Sequence, residues 1–382
     1  MKVTQDFVRR LPDSPDHFAR QQGLWQRIHI DPILLLLLML LTCFGLVVLY
    51  SASGQSEAMV KRQFVFFAIA YVAMFTVAQF DMQVVRRWSP WLYVAGVVLL
   101  VLVFYIGVGA KGAQRWISLG VVRFQPSEVM KIAVPVVTAA YFSSRSLPPT
   151  FRDIIVSLFI ILLPAVLIFL QPDLGTAILI AASGLIALFL AGLQWRYIIG
   201  SVVLAGASIW PMWQWVMKDY QKQRVLTLLD PEADRLGAGW NIIQSKTAIG
   251  SGGLQGKGLL NGTQSQLDFL PESHTDFIIA VMAEELGLIG VSILLVLYLL
   301  VISRGLFIAW ASQNTFNRLL AGSITLTFFV YVFVNIGMVA GMLPVVGVPL
   351  PLVSLGGTSI VTLMTGFGVL MAIATEKKKV VV

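Results

Sequence analysis

The residues best suited to chemistry lie in Phe269-Leu-Pro-Glu-Ser-His-Thr-Asp-Phe277, where Glu272, His274 and Asp276 run directly into the apolar stretch Ile278-Ile279-Ala-Val-Met282. That order sets a carboxylate at the mouth of a membrane helix. An ionised group is costly near hydrocarbon and is retained where it faces protein, water or substrate. The plainer alternative is that Asp276 only begins the helix, where an anion meets the positive end of the macrodipole. A second candidate is Glu128 with Lys131, spaced i and i+3 in Gln125-Pro-Ser-Glu-Val-Met-Lys131, with Pro126 suited to a first helical turn. Mutual neutralisation lowers the cost of burying such a pair. A lipid-facing helix needs neither residue, so the pair points to a polar cavity reached from outside. Arg115, Trp116 and Arg123 are spaced to bring cations and an aromatic ring to the same rim, although Trp at an interface is also ordinary anchoring.

Asp173, in Gln171-Pro-Asp-Leu-Gly-Thr176, fits an N-cap and falls on the same side of the membrane as Asp276. Glu284 and Glu285 follow Asp276 by about two turns. At ~100° per residue, Glu284 lies about 80° from Asp276 and Glu285 nearly opposite, so Glu284 is expected to share its cavity. The glycine-rich Gly250-Ser-Gly-Gly-Leu-Gln-Gly-Lys-Gly258 does not match a phosphate loop, since Ser251 replaces the first Gly and Gly258 the Ser or Thr after Lys257. It also lacks the third glycine of the dinucleotide fingerprint, Gln255 standing there, and no strand precedes it. What remains is a flexible turn, or a set of amides and Lys257 open to a phosphate-bearing ligand. His17, His29 and His274 have no metal-ligand spacing.

These groups must be held by a membrane domain. Of 382 residues, 57% are hydrophobic and 12% charged, with mean hydropathy +0.83, more apolar surface than a water-soluble chain of this size needs. The reading is an all-α polytopic membrane protein with ten spanning helices, near 32–50, 62–80, 89–107, 127–143, 153–171, 174–192, 197–217, 276–302, 317–341 and 358–375. The division between the fifth and sixth is the weakest, with only Gln171-Pro-Asp173 between them. Residues 1–30 form a basic N-terminal arm with a short interfacial helix near Leu24–Ile28, 31–376 the transmembrane domain, and 377–382 a basic tail. Pro135 and Pro164 fall inside helices and should bend them. Cys43 is single, so no intrachain disulfide is possible. No cleavable leader is visible before Ile33–Tyr50.

Fifteen of the 27 Lys and Arg fall on the side of the termini, which is therefore the cytoplasmic side. The other twelve lie outside, an excess that suits an anionic ligand at the outer surface, or a solvated loop face. Six of them sit in the long outer loop between the seventh and eighth helices, 218–275. A loop of that length carries function or structure of its own. Val225, Leu228 and Leu229, then Trp240, Ile243 and Ile249, suggest short helices lying on the membrane surface.

Seven segments in the same order carry a resemblance to a known family. They are Lys111-Gly-Ala-Gln-Arg-Trp116, Val122-Arg-Phe-Gln-Pro-Ser-Glu128, Gln171–Thr176, Ala248-Ile-Gly-Ser-Gly-Gly-Leu254, Phe269–Asp276, Ala283-Glu-Glu-Leu-Gly287 and Gly347-Val-Pro-Leu-Pro-Leu-Val-Ser354. Along nearly its whole length the chain resembles the SEDS proteins (shape, elongation, division and sporulation). It departs from them after Ser354, where Leu355-Gly-Gly-Thr358 replaces the common Tyr-Gly-Gly-Ser, so no tyrosine hydroxyl is assigned a role there.

The resemblance implies a peptidoglycan glycosyltransferase of the bacterial inner membrane, serving cell elongation and rod shape. It would join lipid II into β-1,4 glycan strands with inversion, releasing undecaprenyl pyrophosphate, at a site facing the extracytoplasmic side. Its implied partners are the growing glycan strand, membrane lipid, a class B penicillin-binding protein (the crosslinking transpeptidase) and other elongation proteins, with no nucleic acid. The family's essential carboxylate falls on Asp276, as general base. Arg115, Arg123, Lys131, Lys246 and Lys257 are candidates to neutralise the pyrophosphate, with Trp116, Glu128, Asp173 and Glu284 completing the substrate site. A divalent cation such as magnesium or manganese could assist, but no ligand set demands one. A flippase for the lipid-linked precursor also suits bent helices and a charged cavity. It should carry ionisable groups near the midplane or an inner vestibule, whereas here the polar groups gather outside. A non-catalytic scaffold for cell-wall enzymes would tolerate loss of Asp276.

Overall fold

The computed structural model describes residues 24–110, 113–118, 123–234, 238–263 and 272–376. Residues 1–23 of the basic arm, the tail 377–382, Lys111, Val122 and 269–271 of the quoted motifs lie outside the described residues. Ten long helices coincide with the ten expected segments: Pro32–Ala52, Glu57–Ala78, Met82–Ile106, Pro126–Ser143, Phe151–Leu170, Leu174–Leu190, Trp195–Pro211, Ile278–Ala311, Thr315–Val339 and Thr358–Thr375. Seven of these are long and apolar enough to cross a membrane on those grounds alone. Pro126–Ser143, Leu174–Leu190 and Trp195–Pro211 are the other three. Many starts are fixed by polar caps. Asp31 accepts from Leu34 N at 2.8 Å, Asp81 from Gln83 N at 2.8 Å and Asn314 from Phe316 N at 3.1 Å. The turn 171–173 does separate the fifth and sixth helices, with Asp173 as N-cap of Leu174–Leu190.

Thr315–Val339 is the central post, buried along much of its length and packed against Leu174–Leu190, Pro126–Ser143 and Ile278–Ala311. Small residues let the helices close on one another: Gly184 faces Ile161, Gly96 faces Met130 and Gly305 faces Thr325. Two parts of the fold were not read from the sequence. The first is a small antiparallel sheet, β1 (Val108–Ala110), β2 (Ala113–Ser118) and β3 (Arg123–Phe124), in the order β1-β2-β3. It holds the only strands among the described residues, and they are too short to show a period. The second is the stretch 340–357, between the last two long helices, which has no regular secondary structure yet buries Val348, Leu350, Leu352, Val353 and Ser354.

Irregular backbone inside such a bundle needs partners for its polar groups. Here side chains from three helices supply them. Gln63 donates to Ser354 O (3.0 Å) and accepts from Gly356 N (3.2 Å), Tyr298 donates to Pro351 O (2.6 Å), and Asn335 donates to Val348 O (2.7 Å). The stretch also lies close against its neighbours, because Gly45 leaves room for Leu352 O and Gly175 for Val346 O.

The 218–275 loop contains the helices Asp219–Leu229 and Ala238–Gly252, matching the two apolar groups expected there. Ala238–Gly252 is anchored by buried Ile242 and Ala248 and by Ser245, whose hydroxyl donates to Val339 O at 2.9 Å. Ile278–Ala311 is broken at Gly287, where φ is +63°. The glycine-rich segment fills that break. Leu288 and Ile289 donate to the carbonyls of Gly253 and Leu254, while Lys257 N and Gly258 N donate to those of Glu284 and Glu285. Gly256 and Gly287 touch backbone to backbone, where neither admits a side chain.

Candidate active site

A cavity of about 810 Å³ is lined by Arg62, Arg115, Trp116, Glu128, Lys131, Asp173 and Tyr331, and by 347–352 of the irregular stretch. Six separate elements therefore meet around it. Glu128 and Lys131 stand in the first turns of Pro126–Ser143, paired at 2.7 Å, with side chains only 7% and 12% exposed. Lys131 Nζ lies 5.4 Å from the centre of the Tyr331 ring. Glu128 Oε2 and, next to it in the chain, Ser127 Oγ are buried without a hydrogen-bond partner. Orphaned polar atoms beside a cavity are what a polar ligand or ordered water would satisfy.

Arg115 projects from β2 to the turn before Leu174–Leu190. Its Nε donates to Gln171 O at 3.3 Å, a terminal nitrogen donates to Pro172 O, and Nη1 lies 3.8 Å from Asp173 Oδ2. Asp173 caps its helix through Thr176 N at 3.3 Å and also accepts from Gln125 Nε2 at 3.3 Å. It is thus both a cap and part of the cavity wall. Trp116 pairs with Val108 across the β1–β2 hairpin. Arg123 begins β3, opposite Ser118, and its side chain lies outside the described residues.

Asp276 lies in the turn 272–277, one residue before Phe277, the N-cap of Ile278–Ala311. The turn is pinned on every side. Ser354 Oγ donates to Thr275 O (2.5 Å), Leu355 N to His274 O (2.9 Å), Asn335 Nδ2 to Asp276 O (2.9 Å) and Ser273 Oγ to Ala52 O (3.2 Å). The side chain reaches the cavity margin at Gly347, whose missing Cβ would stand 3.5 Å from Asp276 Oδ2. Gly347 has φ +73°, a backbone that side chains disfavour.

Asp276 therefore stands beside the lining rather than in it, and three more expected site residues, Glu284, Lys257 and Lys246, do not line this cavity. The helical angle between Asp276 and Glu284 does not apply, because Asp276 is not in the helix. Glu284 is fully buried instead, and its Oε1 accepts from Lys257 Nζ (2.7 Å), Thr263 N (2.9 Å) and Thr263 Oγ1 (2.9 Å). Lys257 is therefore engaged with Glu284 and the glycines with the helix break. Lys246 lies against Gly341, at the end of Thr315–Val339. Sequence reading passed over Arg62, whose guanidinium sits 5.7 Å from the Phe66 ring at the cavity edge, and Asn335. Both carried a signal: Arg62 was one of the unexplained outer cations, and Asn335 is an amide deep in an apolar helix. Among the described residues no three His, Cys, Asp or Glu side chains converge as a metal site.

The model of the FtsW, RodA and SpoVE family, described as cell cycle protein, matches residues 31–379. Peptidoglycan glycosyltransferase MrdB of Escherichia coli K12 is 54% identical over 368 residues, spanning 96% of this chain and 98% of that protein. A probable peptidoglycan glycosyltransferase FtsW of Trichlorobacter lovleyi is 39% identical, spanning 91% and 94%. Among solved structures, a chain of a peptidoglycan synthase complex that coordinates polymerization and crosslinking superposes with TM-score 0.80 at 30% identity, over 90% of this chain and 97% of that one. The rod shape determining protein RodA of Thermus thermophilus gives TM-score 0.69 at 28% identity, over 91% and 98%.

Proposed function

The chain belongs to the FtsW/RodA/SpoVE cell cycle protein family, the SEDS proteins, and from that premise we propose that it joins lipid II into β-1,4 glycan strands with Asp276 as general base. It is a multi-pass membrane peptidoglycan glycosyltransferase. The observation that carries the finer reading is the single cavity lined by Arg62, Arg115, Glu128, Lys131 and Asp173, with Asp276 at its Gly347 margin.

A sugar hydroxyl is a weak nucleophile, and a carboxylate that takes its proton as the bond forms is the expected device. In one displacement, the acceptor oxygen bonds to the anomeric carbon and its proton passes to Asp276. The bond from that carbon to the pyrophosphate breaks on the opposite face, so an α-linked donor gives a β-linked product. Undecaprenyl pyrophosphate leaves with its electron pair. Charge developing on it needs cations in place beforehand, and Arg62, Arg115 and Lys131 offer them from three elements.

The same reading places the cavity and the 218–275 loop outside the bacterial inner membrane, with both termini cytoplasmic. A class B penicillin-binding protein is the partner proposed, to crosslink the strands made here. The solved synthase complex supports this, since polymerization and crosslinking are coordinated in it.

The deciding experiment compares Asp276→Asn with Asp173→Asn, both purified and folded, in polymerisation of lipid-linked substrate. Asn is close in shape but far less basic, so the Asp276 variant should lose ~10²–10⁴-fold in rate. Substrate binding should change little. Near wild-type polymerisation by Asp276→Asn, with Asp173→Asn inactive, would move the base to the other carboxylate.

A further inference from the structure

We infer that Asn335 is a positioning residue for Asp276: its amide ties the Asp276 carbonyl to the Val348 carbonyl and so holds the carboxylate over Gly347 at the cavity margin. The inference rests on the reading of Asp276 as base.

Asn335 is 0% exposed, near the outer end of the helix that forms the centre of the bundle. Burying an amide is costly unless its hydrogen bonds are made. An Asn side chain has two N–H donors, and both are used here. One bond runs to Asp276 O at 2.9 Å, the other to Val348 O at 2.7 Å. Both acceptors lie outside the helices, one in the turn 272–277 and one in the irregular stretch 340–357. Meanwhile Asn335 Oδ1 is buried with no partner. The residue thus stays in place for what it donates, at the expense of what it accepts.

The two segments it joins are the ones that meet at the reacting carboxylate. Val348 follows Gly347, the residue under Asp276 Oδ2. Three consecutive carbonyls, of His274, Thr275 and Asp276, are held by Leu355 N, Ser354 Oγ and Asn335 Nδ2. Of these three donors, Asn335 alone comes from a membrane helix, so it ties the carboxylate's backbone to the rigid centre of the fold. Tyr331, one turn earlier on the same face, lines the cavity floor. A shift of about 1 Å in a catalytic group can cost ~10²-fold in rate without changing how substrate is held.

The test uses the full-length purified protein with lipid-linked substrate, measuring kcat and KM beside thermal unfolding in detergent. Asn335→Asp keeps the shape but replaces the two donors, and Asn335→Ser removes the amide. Tyr298→Phe is the comparator, because it deletes another buried bond to the same stretch, to Pro351 O, without touching the Asp276 turn. Both Asn335 variants should lose about tenfold to a hundredfold in kcat, with KM within about twofold, while Tyr298→Phe keeps its kcat. Asp276→Asn is run alongside. Activity in Asp276→Asn sinks the base assignment itself. Inactivity there with full kcat in a folded Asn335 variant sinks the positioning role alone. Failure of both Asn335 variants to fold, or a kcat loss in Tyr298→Phe equal to theirs, would assign Asn335 to the fold and overturn the inference.

Discussion

Two Lys–Glu pairs have the same 2.7 Å separation and opposite surroundings. In Lys131–Glu128 the carboxylate keeps one buried oxygen without a partner, and both residues line the large cavity. In Lys257–Glu284 one carboxylate oxygen takes three donors, and the pair fastens the glycine-rich loop to the break at Gly287. What separates a ligand-facing pair from a structural one is the unused capacity of its carboxylate. An ion pair by itself says little, since pairing only offsets the desolvation that burial imposes.

That contrast can be broken from either side. The largest effect is expected at the saturated pair. Glu284→Gln leaves Lys257 with a neutral partner, and breaking a buried pair costs about 3–5 kcal/mol. The lower end is expected here, because the Lys257 side chain is 29% exposed and can turn toward water. Thermal melting should fall clearly, while the folded fraction keeps most of its specific activity. A folded Glu284→Gln protein that melts normally but does not polymerise would return this pair to the substrate site. Next comes the open pair. Glu128→Gln should lower polymerisation by about tenfold, equivalent to ~1.4 kcal/mol in the barrier, with a smaller change in melting. Early melting with full activity would make Lys131–Glu128 a fold element after all. The smallest effect belongs to Lys61–Glu57, a pair at 2.8 Å whose side chains are 77% and 75% exposed. Glu57→Gln should leave both melting and rate unchanged, as exposed pairs contribute little. A loss of activity there would mean that charge outside the cavity guides the substrate.

The same contrast explains how far the sequence could be read. Helix positions were legible because length and hydropathy report directly on the thickness of hydrocarbon. Depth was legible too, and it gathered Arg115, Trp116, Glu128, Lys131 and Asp173 on one level, where the cavity joins them. Lateral position was not. Lys246, Lys257 and Glu284 share that level by sequence, but Lys257 is carried to Glu284 by the docking of a glycine-rich loop into a helix break, a long-range contact with no local period. Asp276 was read as the helix start, and the turn at Glu272, with φ +59°, leaves it one residue short. The stretch 340–357 is apolar enough to resemble a connection. Only the partners of its carbonyls, Gln63, Tyr298 and Asn335, reveal that it is a wall.

The Trp195–Pro211 helix buries none of its residues. Its 17 residues rise about 25 Å at 1.5 Å each, less than the ~30 Å of a typical hydrocarbon core, and the wider π turn Met212–Val216 extends it toward the loop. Its contact with the bundle includes Tyr197, whose ring stacks on Phe151 at 6.2 Å; a helix so little enclosed by protein is free to tilt, and mismatch in thickness is relieved by tilting or by local thinning. This helix leads at Asp219 into the 218–275 loop, whose far end is fastened at 253–263 to the helix that follows Asp276. On the ten-span reading, membrane thickness would act as a mechanical load on the loop, and lipids of different chain length would be a means of pulling on it without altering a single residue.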